Sequence, residues 1–249
     1  MVEVRTRRKA LTVSNFASQD QVEAVGADFR PDLLLNVRAR TRAAVSDIAA
    51  QIVPGMTEPE ARALAAAVLR DRGLRKGWHK ILVRFGPNTT KNFEDPSDPG
   101  VILGANDIFF VDIGPIYQGC EGDAAVTFST GDDPEMIKAV TDVRAIWDAT
   151  RRRWLDDGLT GTALYEYAAA TSEARGWKLD LELTGHRLSE FPHSAHFDGT
   201  LDGTDFRPTD LRWILEIQIR HPRRNFGAFH EDLLIEDDEV QSALPSGGD

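Results

Sequence analysis

Asp112 and Asp123 stand eleven residues apart, on either side of a stretch that carries Gly114, Gly119 and Gly122. Ile108, Phe109, Phe110 and Val111 lead into the first carboxylate, and Ala125, Val126 and Phe128 follow the second. Apolar runs flanking a Gly-rich turn predict a hairpin, which brings both carboxylates toward one point. Two bare carboxylates that close repel, and one must take up a proton unless a cation intervenes. Further along stand His186 directly after Gly185, Glu216 in the apolar run 213–219, and Glu231 in the run 228–235. A carboxylate inside a strand-like apolar run is costly unless it is paired or metal-bound. Four carboxylates and one imidazole can hold two divalent ions, with bridging carboxylates and a bridging water. A set so rich in oxygen favours Mn²⁺, with Co²⁺, Fe²⁺ and Zn²⁺ also compatible.

These residues need a scaffold, and its elements are legible. Leu34, Val37, Ala44, Val45, Ile48 and Ile52 recur at helical spacing between about 31 and 53, and Pro54 with Gly55 ends that helix. Thr57 opens a second helix, with Glu60 three residues on as a capping box, and Gly73 stops it. The same punctuation returns: Gly158, Thr160 and Gly176 are spaced as Gly55, Thr57 and Gly73 are, after a helix expected over about 133–156. Strand-like sequence follows each helix pair. The pattern predicts an α+β protein built from a duplicated helix-helix-sheet unit. Residues 1–29, polar and mixed, read as an N-terminal arm or lid, 30–241 as one catalytic domain, and 242–249 as a flexible tail.

The composition narrows the function. A chain of 249 residues, 41% of them hydrophobic, supports one sizeable core. The net charge of −11 argues against nucleic acid as a partner. No apolar run approaches the roughly 20 residues that cross a bilayer, so no membrane partner is expected. The basic N-terminus lacks an apolar core behind it, which excludes a secretory signal and makes a cytoplasmic protein the expectation. Cys120 is the single cysteine, so no intramolecular disulfide forms.

The ordered set Asp112, Asp123, His186, Glu216 and Glu231 resembles that of the pita-bread metallohydrolases: methionine aminopeptidase, Xaa-Pro aminopeptidase, prolidase and creatinase. His193 stands seven residues after His186, matching the proline-peptidase pattern, and Glu231 with Asp232 matches that family's closing Glu-Asp. The resemblance covers roughly residues 30–240. It implies a fold in which two units related by a pseudo-twofold merge their strands into one curved, mainly antiparallel sheet, with helices outside and a dinuclear site at the centre. It further implies that Asp112 chelates one ion, that Asp123 and Glu231 bridge both, and that His186 and Glu216 hold the second. Glu216 would also pass a proton to the leaving nitrogen.

Around that set the resemblance assigns His193 to contact with the scissile amide or tetrahedral intermediate, and makes His196 a substrate-contacting candidate. Asn92 occupies the position of a substrate-binding histidine that follows the Gly86-Pro87-Asn88 turn. His79 either supplies the missing imidazole or packs beside Trp78. Arg187 brings a bulky cation where the family has a glycine and where substrate would lie. The expected activity is hydrolysis of an amide or peptide bond, of the Xaa-Pro aminopeptidase or dipeptidase type. Hydrolysis of a small non-peptide amide or amidine, or a non-catalytic peptide-binding module, are the alternatives. The partners expected are a small peptide or small-molecule amide, and a second copy of the chain as a homodimer.

Overall fold

The computed structural model describes residues 18–74, 76–193, 197–238 and 240. In chain order these form α1 (Gln19–Val22), α2 (Pro31–Ala49), α3 (Glu58–Asp71), β1 (Lys76–Gly77), β2 (Leu82–Phe85), β3 (Asp107–Ile113), β4 (Pro115–Tyr117), β5 (Cys120–Glu121) and β6 (Ala124–Thr130). There follow α4 (Pro134–Asp157), α5 (Gly161–Ala174), β7 (Lys178–Asp180), β8 (Ile214–Arg220) and β9 (Gly227–Leu233). A six-stranded sheet runs β2-β3-β6-β9-β8-β7, antiparallel at every pairing, beside a small sheet β1-β4-β5.

That strand order is a palindrome about the β6–β9 pairing, and it makes the duplication physical. The first unit supplies α2, α3, β2, β3 and β6, and the second supplies α4, α5, β7, β8 and β9. The helices α3 and α5 have the same length of 14 residues, each capped by its threonine, Thr57 or Thr160. Thr57 and Glu60 close the expected capping box. Gly55 and Gly158 both take positive φ, of 95° and 63°, in the turn between the two helices of their unit. An L-residue with a side chain is strained there, so the repeated glycines are conformational requirements.

Alternation along the strands separates two environments. Phe109, Val111 and Ile113 of β3 pack under α2 and α3 with Val45, Ile48 and Ala65. Leu215, Ile217 and Ile219 of β8 pack under α4 and α5 with Trp147, Trp154 and Leu164. Each unit therefore has its own core beneath its own helix pair. The buried indoles are anchored as well as packed: Trp147 donates to the Leu215 carbonyl at 2.8 Å and Trp154 to that of Pro208 at 2.8 Å. Between the units, Asp232 turns toward the helices and accepts both Nε and Nη2 of Arg38 at 2.7 and 2.6 Å, tying β9 to α2 through a buried, bidentate ion pair.

Residues 18–29 are bound to the domain. Buried Glu23 accepts from the Trp213 indole at 2.6 Å and from the Thr209 amide at 2.8 Å, and the Gly26 amide donates to Glu190 at 2.7 Å. The rest of the expected arm and the expected tail at 242–249 lie outside the described residues. Among the described residues no helix is long and apolar enough to cross a membrane.

Candidate metal centre

The face of the sheet away from the helices carries the other alternation set. Register pairs place Leu82, Asp112, Ala125, Glu231 and Glu216 in one row across β2, β3, β6, β9 and β8. Asp123, two residues before Ala125, points to the same side. His186 arrives from the segment after β7. There Gly185 takes φ 71°, and a Cβ on it would fall 2.3 Å from the Ile214 carbonyl. That close approach lets the Ile214 amide donate to the His186 carbonyl at 2.9 Å and docks the loop on β8. Behind Glu216, the Tyr165 hydroxyl donates to its carbonyl at 2.9 Å and fixes the strand from the helix side.

The sequence's five candidates meet here. His186 Nε2 lies 3.0 Å from Asp123 Oδ2 and 3.4 Å from Glu216 Oε1. Glu231 stands within hydrogen-bonding reach of Asp112 and Asp123. All four carboxylates are buried, with Asp123 2% and Glu216 7% exposed. His79 joins them, with Nε2 3.1 Å from Asp123 Oδ1 and 3.7 Å from Asp112 Oδ1. It also packs beside Trp78, ring centroids 4.5 Å apart, as one of the two expectations for it had it.

The electrostatics are those of a cluster with too much negative charge. Burial, then the charges of Asp123, Asp112 and Glu216, hold the Glu231 carboxyl well above the usual carboxylate range. Burial also raises Glu216, and lifts Asp112 to about 7 despite the imidazolium of His79. For the histidines burial disfavours the cation but is outweighed by the carboxylates, so His79 rises to about 10 and His186 to about 9. Asp112 Oδ1 and Glu231 Oε1 are buried with no protein hydrogen-bond partner. Orphaned buried oxygens are rare, and here they face imidazole nitrogens and other carboxylates. The donor set fits divalent cations, which satisfy lone pairs and cancel charge together.

The centre forms the floor of a cavity of about 360 Å³. Trp78, Leu82, Phe93, Phe110, Leu183 and Phe229 give it apolar walls, and Lys91, Glu94 and Glu182 also line it. Trp78 is held by donating to the Gly122 carbonyl at 2.9 Å and stands edge-on to both His79 and His186.

Of the remaining expected site residues, His193, Asn92 and Arg187 are not among those that line the cavity. His193 does not line the cavity. Its Nε2 is 2.5 Å from Oε1 of Glu121, a fully buried carboxylate on β5 that needs a partner and takes the imidazole. Asn92 is likewise absent from the cavity lining. Its amide donates to Glu182, and its oxygen accepts from Arg220 at 3.1 Å, so it orders a wall residue of the cavity. Arg187 spans the carbonyls of Val22, Arg212 and Ala24 and covers the Trp213 ring at 5.7 Å. Its guanidinium clamps the N-terminal segment where a substrate contact was expected. His196 lies outside the described residues. Glu121 was not singled out in the sequence; only the pairing of its two-residue strand shows that it is buried. Phe93 and Glu182 were missed too, since nothing local distinguishes them from loop residues.

The model of metallopeptidase family M24 matches residues 32–235 of the chain. No curated protein matches it significantly. Among solved structures, the X-Pro aminopeptidase of Thermotoga maritima aligns with TM-score 0.66 and 21% identity over 85% of this chain and 59% of its own. The Xaa-Pro dipeptidase of Bacillus anthracis aligns with TM-score 0.69 and 19% identity over 90% of this chain and 63% of its own. The methionine aminopeptidase of Thermotoga maritima aligns with TM-score 0.63 and 18% identity over 86% of this chain and 97% of its own. This chain thus spans less than two thirds of the first two and nearly all of the third. At these identities the likeness is one of fold: the pita-bread architecture, a mixed helical and antiparallel-sheet domain.

Proposed function

This chain belongs to metallopeptidase family M24, and on that premise we propose that it is a metal-dependent hydrolase of an amide or peptide bond, of the Xaa-Pro aminopeptidase or dipeptidase kind. The observation that carries the reading is the convergence of Asp112, Asp123, His186, Glu216 and Glu231 on one cavity floor, with two buried oxygens lacking protein partners. Asp123 and Glu231 sit centrally and suit a bridging role between two ions. Asp112 would hold the first ion, and His186 and Glu216 would hold the second. On those five donors alone Mn²⁺ is the fitting metal. Divalent ions bound there supply Lewis acidity and lower the pKa of water to near neutrality.

The chain's own groups supply the rest. Glu216 has its pKa raised by burial and is suited to carry a proton to a leaving nitrogen. The apolar walls exclude water and accept a hydrophobic substrate side chain, while Glu182 and Glu94 place negative charge on the lining where a free N-terminal amine would be attracted. A second reading, hydrolysis of a small non-peptide amide, is favoured by one feature: His193 and Asn92, expected from the proline-peptidase pattern to meet substrate, pair with Glu121 and Glu182 and do not line the cavity. Release of N-terminal residues from dipeptides and Xaa-Pro peptides tests the proposal. It should be lost on chelation, restored by divalent metal, and lost again in Asp123→Ala.

A further inference from the structure

We propose that His79 is itself a metal ligand, so that each of two ions has its own imidazole. One ion would be held through His79, Asp112 and Asp123, the other through His186, Asp123 and Glu216, with Glu231 shared between them as before. The inference rests on the dinuclear reading of the site and goes beyond it by changing the donors of the first ion.

The two histidines are placed alike about Asp123. His79 Nε2 approaches its Oδ1 at 3.1 Å, and His186 Nε2 approaches its Oδ2 at 3.0 Å. Each turns to a further carboxylate: His79 to Asp112 at 3.7 Å, His186 to Glu216 at 3.4 Å. Each fixes its ring in the same way, through Nδ1 on the carbonyl of the next residue, Lys80 at 2.7 Å or Arg187 at 2.8 Å. An Nδ1–H donated to a carbonyl leaves the Nε2 lone pair facing outward, the arrangement that metal-ligating histidines use. Each Nε2 faces an Asp123 oxygen, and either a proton or a cation can bridge the nitrogen to the carboxylate; a bound cation takes the proton's place and makes both nitrogens donors. Donor atoms about 2.1 Å from one ion stand roughly 3.0 to 3.4 Å apart. The ligand atoms of His79, Asp112 and Asp123 lie within 4.8 Å of one another.

The fold also builds room for this ring. A Cβ at Gly114 would fall 2.0 Å from Cδ2 and 2.1 Å from Nε2 of His79, so only glycine lets the imidazole reach the centre. Trp78 and Phe93 pack edge-on against it, at 4.5 and 5.7 Å between centroids. His79 follows α3 of the first unit as His186 follows α5 of the second, which gives each half of the duplication one imidazole. A nitrogen donor on the first ion moves its preference from Mn²⁺ toward Co²⁺, Fe²⁺ or Zn²⁺.

Two measurements on the full chain test this without relying on activity. X-ray absorption of wild-type protein loaded with two Co²⁺ per chain should give one imidazole per ion; one imidazole per two ions overturns the proposal. Calorimetric titration of Co²⁺ into metal-free protein should show two sites, one of which weakens at least 10- to 100-fold in His79→Ala, the scale on which loss of even an outer-shell partner acts. His79→Gln, which keeps the side chain's bulk, should lose the same site if the alanine variant does not fold. Two sites of wild-type affinity in either folded variant overturn the inference and leave the dinuclear reading standing. Failure of the wild type to bind two ions overturns both.

Discussion

Glu216 and Glu231 stand directly opposite each other on β8 and β9, a register pair whose two carboxylates are both buried and face the same cavity. Like charges directly opposed across a ladder are destabilising. The fold therefore carries at its centre an arrangement that requires either protons or cations to relieve its charge. The raised pKa values of Glu231 and Glu216, and Asp112 at about 7, are the cost of that arrangement in the metal-free protein.

Removing one of those carboxylates should separate stability from function. Glu231→Gln keeps shape and hydrogen-bonding capacity but removes the need to protonate, on folding, a carboxyl whose charge burial and three neighbouring carboxylates oppose. The metal-free variant is expected to melt a few degrees higher than metal-free wild type, while metal affinity falls at least 10- to 100-fold. Calorimetric melting with and without metal checks both; a lower metal-free Tm would contradict the electrostatic account.

Metal binding should release protons. His79 and His186, at about 10 and 9, are protonated at pH 7.5, and Asp112 at about 7 is partly so. Ligands must be unprotonated to bind, so these protons leave when metal enters and affinity rises as pH rises toward 10. Titrations in buffers of differing ionisation enthalpy should give heats that vary with the buffer. Heats independent of buffer would show that the imidazoles are already neutral.

His193→Ala is expected to lower hydrolysis by less than tenfold, because the imidazole serves Glu121 and does not line the cavity. Its effect belongs to stability: a fully buried carboxylate loses a partner, at about 1–3 kcal/mol. His186→Ala, by contrast, should abolish turnover. Equal kinetic losses in the two variants would return His193 to the reaction.

Arg187→Ala should leave KM and kcat near wild type and loosen the N-terminal segment. Three main-chain carbonyls lose their guanidinium donor, two of them at Val22 and Ala24. The expected readouts are a stability loss of about 1–3 kcal/mol and faster proteolysis within 18–29. A selective rise in KM would instead indicate that the guanidinium meets substrate.

The helix pairs were legible because their boundaries are written locally, in Thr57, Glu60, Thr160 and the glycines that follow each helix. The convergence of Asp112, Asp123, Glu216 and Glu231 was legible because period-two alternation turns a position in an apolar strand into a face of the sheet. What stayed hidden depends on contacts between distant segments. That Glu121 claims His193 follows from the bridge between Cys120 and Glu190, which lays the segment before His193 against β5, and that Arg187 reaches back to Val22 follows from where residues 18–24 dock. The inward turn of His79 needs the space left by Gly114, 35 positions along the chain, and no local pattern announces that relationship.

The proposed activity is metal-dependent cleavage of an amide at this cavity. Its most direct test is hydrolysis of a panel of dipeptides and Xaa-Pro peptides by metal-free protein reconstituted with Mn²⁺ or Co²⁺, with bound metal and released amine quantified in the same samples. The account predicts release of an N-terminal residue that rises with occupancy to two ions per chain and is absent from Asp123→Ala. No release from any peptide or small amide at two bound ions, or no metal bound at all, would contradict it.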